Sequence, residues 1–209
     1  MSNLGQHSSI QVEHYTPIHV VEAARATMGA IDLDPATCSN ANEVVKAKLC
    51  FGPDWGTDGL LGQWCGDFGE PLRVFLNPPG GVLNRRTLTP LPVVEGKASK
   101  KGLRAQDLIS AATVWWGNLL NEYETGNVHQ AVFVAFSLNI FQNAQSEGLP
   151  CPASFPFCIP NQRLEFWGPG KRSGPSHPNA VVYLPPKDKP ESSRAAFAHY
   201  FGSIGAVRL

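Results

Sequence analysis

Charge is scarce in this sequence. Asp, Glu, Lys and Arg make up 16% of it, well under the usual quarter or so, and its 17 acids balance its 17 bases. A net charge of zero singles out no partner, and with 43% hydrophobic residues the chain is not a disordered polyelectrolyte. Long apolar runs are missing too. The longest uncharged stretch, Thr125 to Ser146, is broken by Asn127, His129, Gln130, Asn139, Gln142 and Asn143, which excludes a membrane helix there. Residues Met1 to Gln11 have neither the basic start nor the apolar core of a signal peptide, so a cytoplasmic protein is expected. Five cysteines (38, 50, 65, 151, 158) form no C-x-x-C pair, and six histidines (7, 14, 19, 129, 177, 199) show no metal spacing. Reduced thiols are expected, rather than a disulfide framework or a zinc site. At 209 residues there is room for one domain with a full core, not for two large ones.

Glycine and proline are plentiful, 20 and 18 residues, so short elements and many turns are expected. Charge is also unevenly placed. Residues 1–70 hold nine acids and three bases, residues 71–104 hold seven bases against Glu95, and the remainder balances at seven each. A basic stretch inside an acidic to neutral body draws a polyanion to one face, unless it is only a solvated loop. Residues 80–104 keep no sustained period and read as one long basic loop inserted in a single domain spanning 1–209.

Periodicity supplies the elements. Thr16 is placed to cap a helix, Pro17 suits its first position, Val20, Val21, Ala24 and Met28 share one face, and Gly29 ends it. Ala30 to Pro35 reads as a short strand whose end carries acids. A helix is expected around 42–49, and a buried strand over Arg73 to Asn77, stopped by Pro78-Pro79. Leu108, Ile109, Ala112, Trp115, Trp116, Leu119, Leu120 and Tyr123 keep a 3.6-residue period, with both tryptophans on the core face of a helix. Ala131 to Phe136 (AVFVAF) is apolar throughout, as in a parallel strand covered on both faces. Strands near 155–159, 163–167 and 180–184 and a helix around 193–201 complete an α/β fold with a mostly parallel sheet and an antiparallel edge.

The sharpest chemical signal is Asn77-Pro78-Pro79-Gly80, at the carboxyl end of a buried strand, where open α/β sheets hold ligands. Asn77 offers a side-chain carbonyl, and Pro78 a backbone carbonyl whose direction its ring stiffens. Two such acceptors hold both hydrogens of a planar amino group and aim its lone pair at an electrophile, which suits methylation of an exocyclic or amide nitrogen. A Pro-Pro turn that merely ends a strand is the bland alternative. Asp34-Pro35-Ala36 sits at another strand end, where an acid commonly meets ribose hydroxyls or a cofactor's amino group, or simply caps the next helix. Asp32, two residues earlier, shares its face if the strand is regular.

Several motifs fall in a fixed order: His14-Tyr15-Thr16-Pro17, Ile31 to Ala36 with Asn40-Ala41-Asn42, Asp58-Gly59-Leu60 with Trp64, and Phe75 to Pro79. Phe155 to Pro160, Arg163 to Phe166 and Asn179 to Leu184 follow. In kind and in order, over about residues 13–185, they resemble the phage-type DNA adenine methyltransferases. The resemblance implies a Rossmann-like S-adenosylmethionine-dependent methyltransferase fold, S-adenosyl-L-methionine as cofactor, double-stranded DNA as partner and methyl transfer to the amino nitrogen of adenine. It also implies a phage or prophage protein working in a bacterial host cell. By carry-over, Tyr15, Thr16 and Pro17 line the cofactor's methionine end, Asp32, Asp34, Pro35 and Ala36 form the first cofactor motif, and Asn77, Pro78, Pro79 and Gly80 hold the target amine.

Two positions depart from the family pattern. Ala36-Thr37-Cys38-Ser39-Asn40 stands where many amino methyltransferases have Gly-x-Gly, and Gly80 stands where an aromatic residue usually stacks on the flipped base. Trp167 is the first choice for a replacement platform, ahead of Phe141, Trp64 and Phe75. His14 is a further cofactor-pocket candidate. Arg85, Arg86, Lys97, Lys100, Lys101 and Arg104 follow the catalytic turn closely enough to meet the phosphates beside an extruded base. Two alternatives stand beside this expectation: an enzyme of the same fold acting on another planar amine, such as a protein glutamine amide, and a catalytically silent DNA- or protein-binding relative.

Overall fold

Side chains along two central strands alternate between two cores, and this sets the architecture. The computed structural model describes residues 14–66, 69–94, 97–168 and 177–209. In chain order the elements are α1 (Ile18–Met28), β1 (Leu33–Asp34), α2 (Ser39–Val45), β2 (Leu49–Cys50), β3 (Leu72–Leu76), β4 (Val82–Asn84), β5 (Val93–Val94) and β6 (Lys97–Ala98). Then come β7 (Leu108–Ser110), α3 (Ala111–Glu124), β8 (Val128–Ala135), α4 (Ile140–Ser146), β9 (Phe157–Pro160), β10 (Ala180–Leu184), α5 (Pro190–Phe201) and β11 (Gly205–Arg208). In β8, Ala131, Phe133 and Ala135 pack with α3 and α4, while Val132 and Val134 pack with α1 and α5. Each face of the strand meets helices, which is why the run is apolar without a break.

The main sheet has seven strands in the order β11-β9-β10-β8-β3-β1-β2. β2, β1, β3 and β8 are parallel neighbours; β10 runs against β8, β9 against β10 and β11 against β9. Five of the seven strands therefore point one way, and the α/β class with an antiparallel edge is as expected. Trp116 is fully buried, with its Nε1 donating to the Pro150 carbonyl at 2.9 Å, and Trp115 is buried beside it. Among the described residues no helix is long and apolar enough to cross a membrane.

Several expected boundaries move. Thr16 does not cap α1: Pro17 holds the cap position with no side-chain bond, although Gly29 ends the helix at a φ of +82° as expected. α2 begins at Ser39 and stops at Val45, because Lys46 turns left-handed (φ 52°) and Asn42 Oδ1 accepts the Ala47 N–H at 2.8 Å, leaving Leu49 to pair in β2. Leu108 and Ile109 leave the α3 pattern and pair in β7 with Leu83 and Asn84. Residues 163–167 alternate buried and exposed like a strand, yet among the described residues they pair through a single bridge, Tyr15 with Trp167. β11 has no counterpart among the expected strands.

The largest change concerns 80–104. Instead of one long loop, this segment forms an arm. β4 pairs with β7, β5 with β6, Leu83 is buried in the core on the α3 side, and the Ala111 N–H closes the base on the Gly81 carbonyl at 3.1 Å.

Candidate functional site

β1, β3 and β8 lie side by side, so their carboxyl ends share one rim of the sheet. There Asn77 follows β3 directly, and its Nδ2 donates to the His14 carbonyl at 2.7 Å. The amide is thereby oriented: its nitrogen is spent on the backbone ahead of α1, and Oδ1 is left as an acceptor. Pro78 is buried, and no donor among the described residues takes its carbonyl. A Cβ at Gly80 would meet nothing within 4 Å, so the approach to this turn is open.

The residues ahead of α1 cover the same rim. Tyr15 and Trp167 exchange backbone hydrogen bonds (2.7 and 3.0 Å), their rings meet edge to face at 4.7 Å, and Trp167 Nε1 donates to the Thr16 carbonyl at 3.3 Å. Cys38 Sγ donates to the Tyr15 hydroxyl at 3.4 Å, which ties the turn after β1 to this strap. His14 lies against Phe136 at the end of β8, with ring centroids 5.1 Å apart. Thr16 is 5% exposed, and its Oγ1 finds no hydrogen-bond partner among the described residues. An orphaned buried hydroxyl beside the rim is a group that a ligand could satisfy.

Asp34 is the other unusual group. It is 3% exposed, accepts the Ala36 N–H at 3.2 Å and interacts with the Thr37 side chain, and burial pushes its carboxyl up to about 7. It does not cap α2; that role falls to Asp54, whose Oδ2 accepts the Ser39 N–H at 2.6 Å. The turn from Asp34 to Thr37 is fixed from outside by two glycines. A Cβ at Gly59 would lie 1.8 Å from the Pro35 carbonyl oxygen, and one at Gly52 would lie 1.9 Å from that of Thr37.

Asp32 is not brought to this cluster. Its carboxylate is forked by Arg73 (Nε 2.6 Å, Nη2 2.9 Å) and takes the Arg73 N–H at 3.1 Å and Lys48 Nζ at 3.0 Å, at the opposite end of the parallel strands. These cations hold its carboxyl well below the usual range. With its hydrogen-bonding capacity spent on them, Asp32 fixes the start of β3 against β1, and the expected cofactor role is dropped.

The arm divides the expected cations. Arg85 is consumed by structure: it forks Glu147 at the end of α4 and also donates to the Gln106 (2.9 Å) and Leu108 (3.0 Å) carbonyls. Arg104 pairs with Asp107 at 3.3 Å. Arg86, Lys100 and Lys101 are exposed and make no ion pair among the described residues; the Lys97 side chain lies outside them. Of the aromatic platforms, Trp64 and Phe75 are core residues at 0% and 1% exposure, and Phe141 packs on Phe157, whereas Trp167 is 41% exposed at the rim.

Two residues escaped sequence reading as parts of the rim. Phe136 ends the apolar run of β8, and its position one strand over from Asn77 was the available signal. Asn179 is buried and donates to the Phe136 carbonyl (2.8 Å) while accepting the Leu164 N–H (2.8 Å); a lone amide directly before an apolar strand marks it. No protein-family model matches the chain, nor does any curated protein or solved structure.

Proposed function

We propose that this protein transfers a methyl group from S-adenosyl-L-methionine to the exocyclic amino nitrogen of adenine in double-stranded DNA, on a Rossmann-like methyltransferase domain. The observation that carries the proposal is the Asn77 amide, anchored through Nδ2 to the His14 carbonyl with Oδ1 left to accept. Oδ1 and the Pro78 carbonyl, which no donor among the described residues takes, accept the two hydrogens of the planar amine and point its lone pair in one direction. The nitrogen sheds a proton to water once it is methylated, so no general base is required. Resemblance of the ordered motifs to phage-type DNA adenine methyltransferases supplies the choice of adenine.

The residues present fit the cofactor on two counts. Among the described residues Thr16 Oγ1 is buried without a partner and Asp34 is a buried carboxyl facing no cation, so a ligand that donates hydrogen bonds relieves both. Tyr15, Thr16, Pro17 and the turn Asp34-Pro35-Ala36 would hold it, and when bound it supplies an electrophilic methyl. Trp167, half-exposed on the same strap, takes the stacking role that Gly80 leaves open. Arg86, Lys100 and Lys101 favour a nucleic acid over a protein amide, since exposed cations on the arm that follows the Asn77 turn, without an ion pair among the described residues, suit phosphates. Incubation with labelled cofactor tests this: label enters unmethylated DNA and not the proteins of a lysate. Label in protein alone would transfer the site to a glutamine-type amide, and label in neither would mark a silent relative.

A further inference from the structure

The arm carries an exposed apolar side chain at the turn that follows β4. At the far end of β4 the chain reverses through Arg85 to Leu88. Asn84 locks the turn: its Oδ1 accepts the Arg86 N–H at 2.9 Å, its carbonyl accepts the Leu88 N–H at 2.8 Å, and its N–H donates to the Thr89 carbonyl at 2.9 Å. Leu88 is thereby held at a φ of +53°, a left-handed conformation that glycine fills freely and side chains resist. Its neighbours on the arm, Leu83 and Leu91, are buried, but Leu88 is 44% exposed. A branched apolar side chain is thus fixed in a strained backbone and left nearly half exposed, where glycine would relieve the backbone. Arg86 stands beside it, exposed and without an ion pair among the described residues. Only β4, three residues or about 10 Å of strand, separates this tip from Gly81 and the Asn77 rim.

We propose that Leu88 is a wedge that enters the base stack of double-stranded DNA and fills the gap left when the target adenine turns out toward Asn77. The inference rests on the DNA reading above. An extruded base leaves a hole that water fills poorly, and a rigid apolar point closes it. Arg86 then reaches the neighbouring phosphate and holds the arm at that step. Leu88 touches neither the reacting nitrogen nor the cofactor, so it is a positioning residue.

The test compares Leu88→Gly and Leu88→Met with the parent protein, after the methylated site has been mapped by sequencing DNA from a methylation-free host. Glycine relieves the backbone, so Leu88→Gly folds at least as stably, and thermal unfolding checks this. On a fully paired duplex, kcat/KM of Leu88→Gly falls about tenfold or more, the scale set by losing one buried leucine contact. On the same duplex with the target adenine opposite an abasic site, where extrusion is cheap, it returns to the parent value. Leu88→Met keeps activity on both. Equal rates for Leu88→Gly and parent on the paired duplex overturn the wedge and leave the methyltransferase reading intact; an equal loss on both duplexes also overturns it. A parent protein that methylates neither duplex overturns the wedge and the DNA reading together.

Discussion

Replacing Asp34 by Asn should make the protein more stable at neutral pH. The Asp34 carboxyl protonates near 7 in the folded chain, against 3.8 ordinarily, because burial disfavours its charge and no cation among the described residues offsets this. Between those two values the unfolded chain has released a proton that the folded chain keeps, so stability falls as pH rises through this window and is level above it. The whole fall amounts to about 4 kcal/mol at 1.36 kcal/mol per pH unit, an upper figure because water relaxes around an opened carboxylate. Asn is isosteric, still accepts the Ala36 N–H through its own oxygen, and carries no charge. The assay is urea unfolding of both proteins at about pH 4.5, 5.5, 6.5 and 8. The two should agree at the lowest pH and diverge steadily, with Asp34→Asn ahead by a few kcal/mol at the highest. A stability difference independent of pH, or a parent that gains on the variant above pH 7, would refute the argument. Saturating S-adenosyl-L-methionine should narrow the gap, since a ligand donating hydrogen bonds stabilises a carboxylate more than an amide oxygen.

Further outcomes follow from neighbouring geometry. Gly59→Ala drives a methyl into the Pro35 carbonyl, so the Asp34 turn must shift; thermal unfolding should show a loss of about 2 kcal/mol, with weaker cofactor binding by calorimetry. Asp32→Asn leaves Arg73 without its partner and should destabilise by about 1–2 kcal/mol at pH 7. Because the Asp32 carboxyl is held below its ordinary range, that difference should vanish as pH drops below the usual carboxylate range. Replacing Arg86, Lys100 and Lys101 together by Ala should weaken duplex binding and reduce the slope of log affinity against log salt by about 2 to 3, measured by fluorescence anisotropy.

The strands that could be read from sequence were those whose two faces are both buried. Residues 74–76 of β3, 131–135 of β8 and the whole of β10 are uninterrupted buried runs, which fit a strand covered by helices on both faces. What was illegible depends on partners distant in sequence. Leu108 and Ile109 match a helical period as well as a strand, and only pairing with β4 decides between them. β2 is two residues long and exists because Asn42 ends α2 early. At the site, Asn77, Pro78 and Asp34 were visible because strand ends and turn residues are local signals. The loss of Asp32 to Arg73 and of Arg85 to Glu147 was not, since each depends on a cation or carboxylate more than forty residues away in sequence. The expectation of a shared face for Asp32 and Asp34 counted direction but not which end of the strand each occupies.

The oriented Asn77 amide is tested most directly by Asn77→Ala, assayed for methyl transfer to unmethylated DNA beside the parent. Removing one of two acceptors that aim the amine should lower kcat by about a hundredfold or more, on the scale of losing one oriented catalytic hydrogen bond. Thermal unfolding should show the fold kept, with about 1 kcal/mol lost along with the bond to the His14 carbonyl. Transfer by Asn77→Ala at the parental rate would contradict the account.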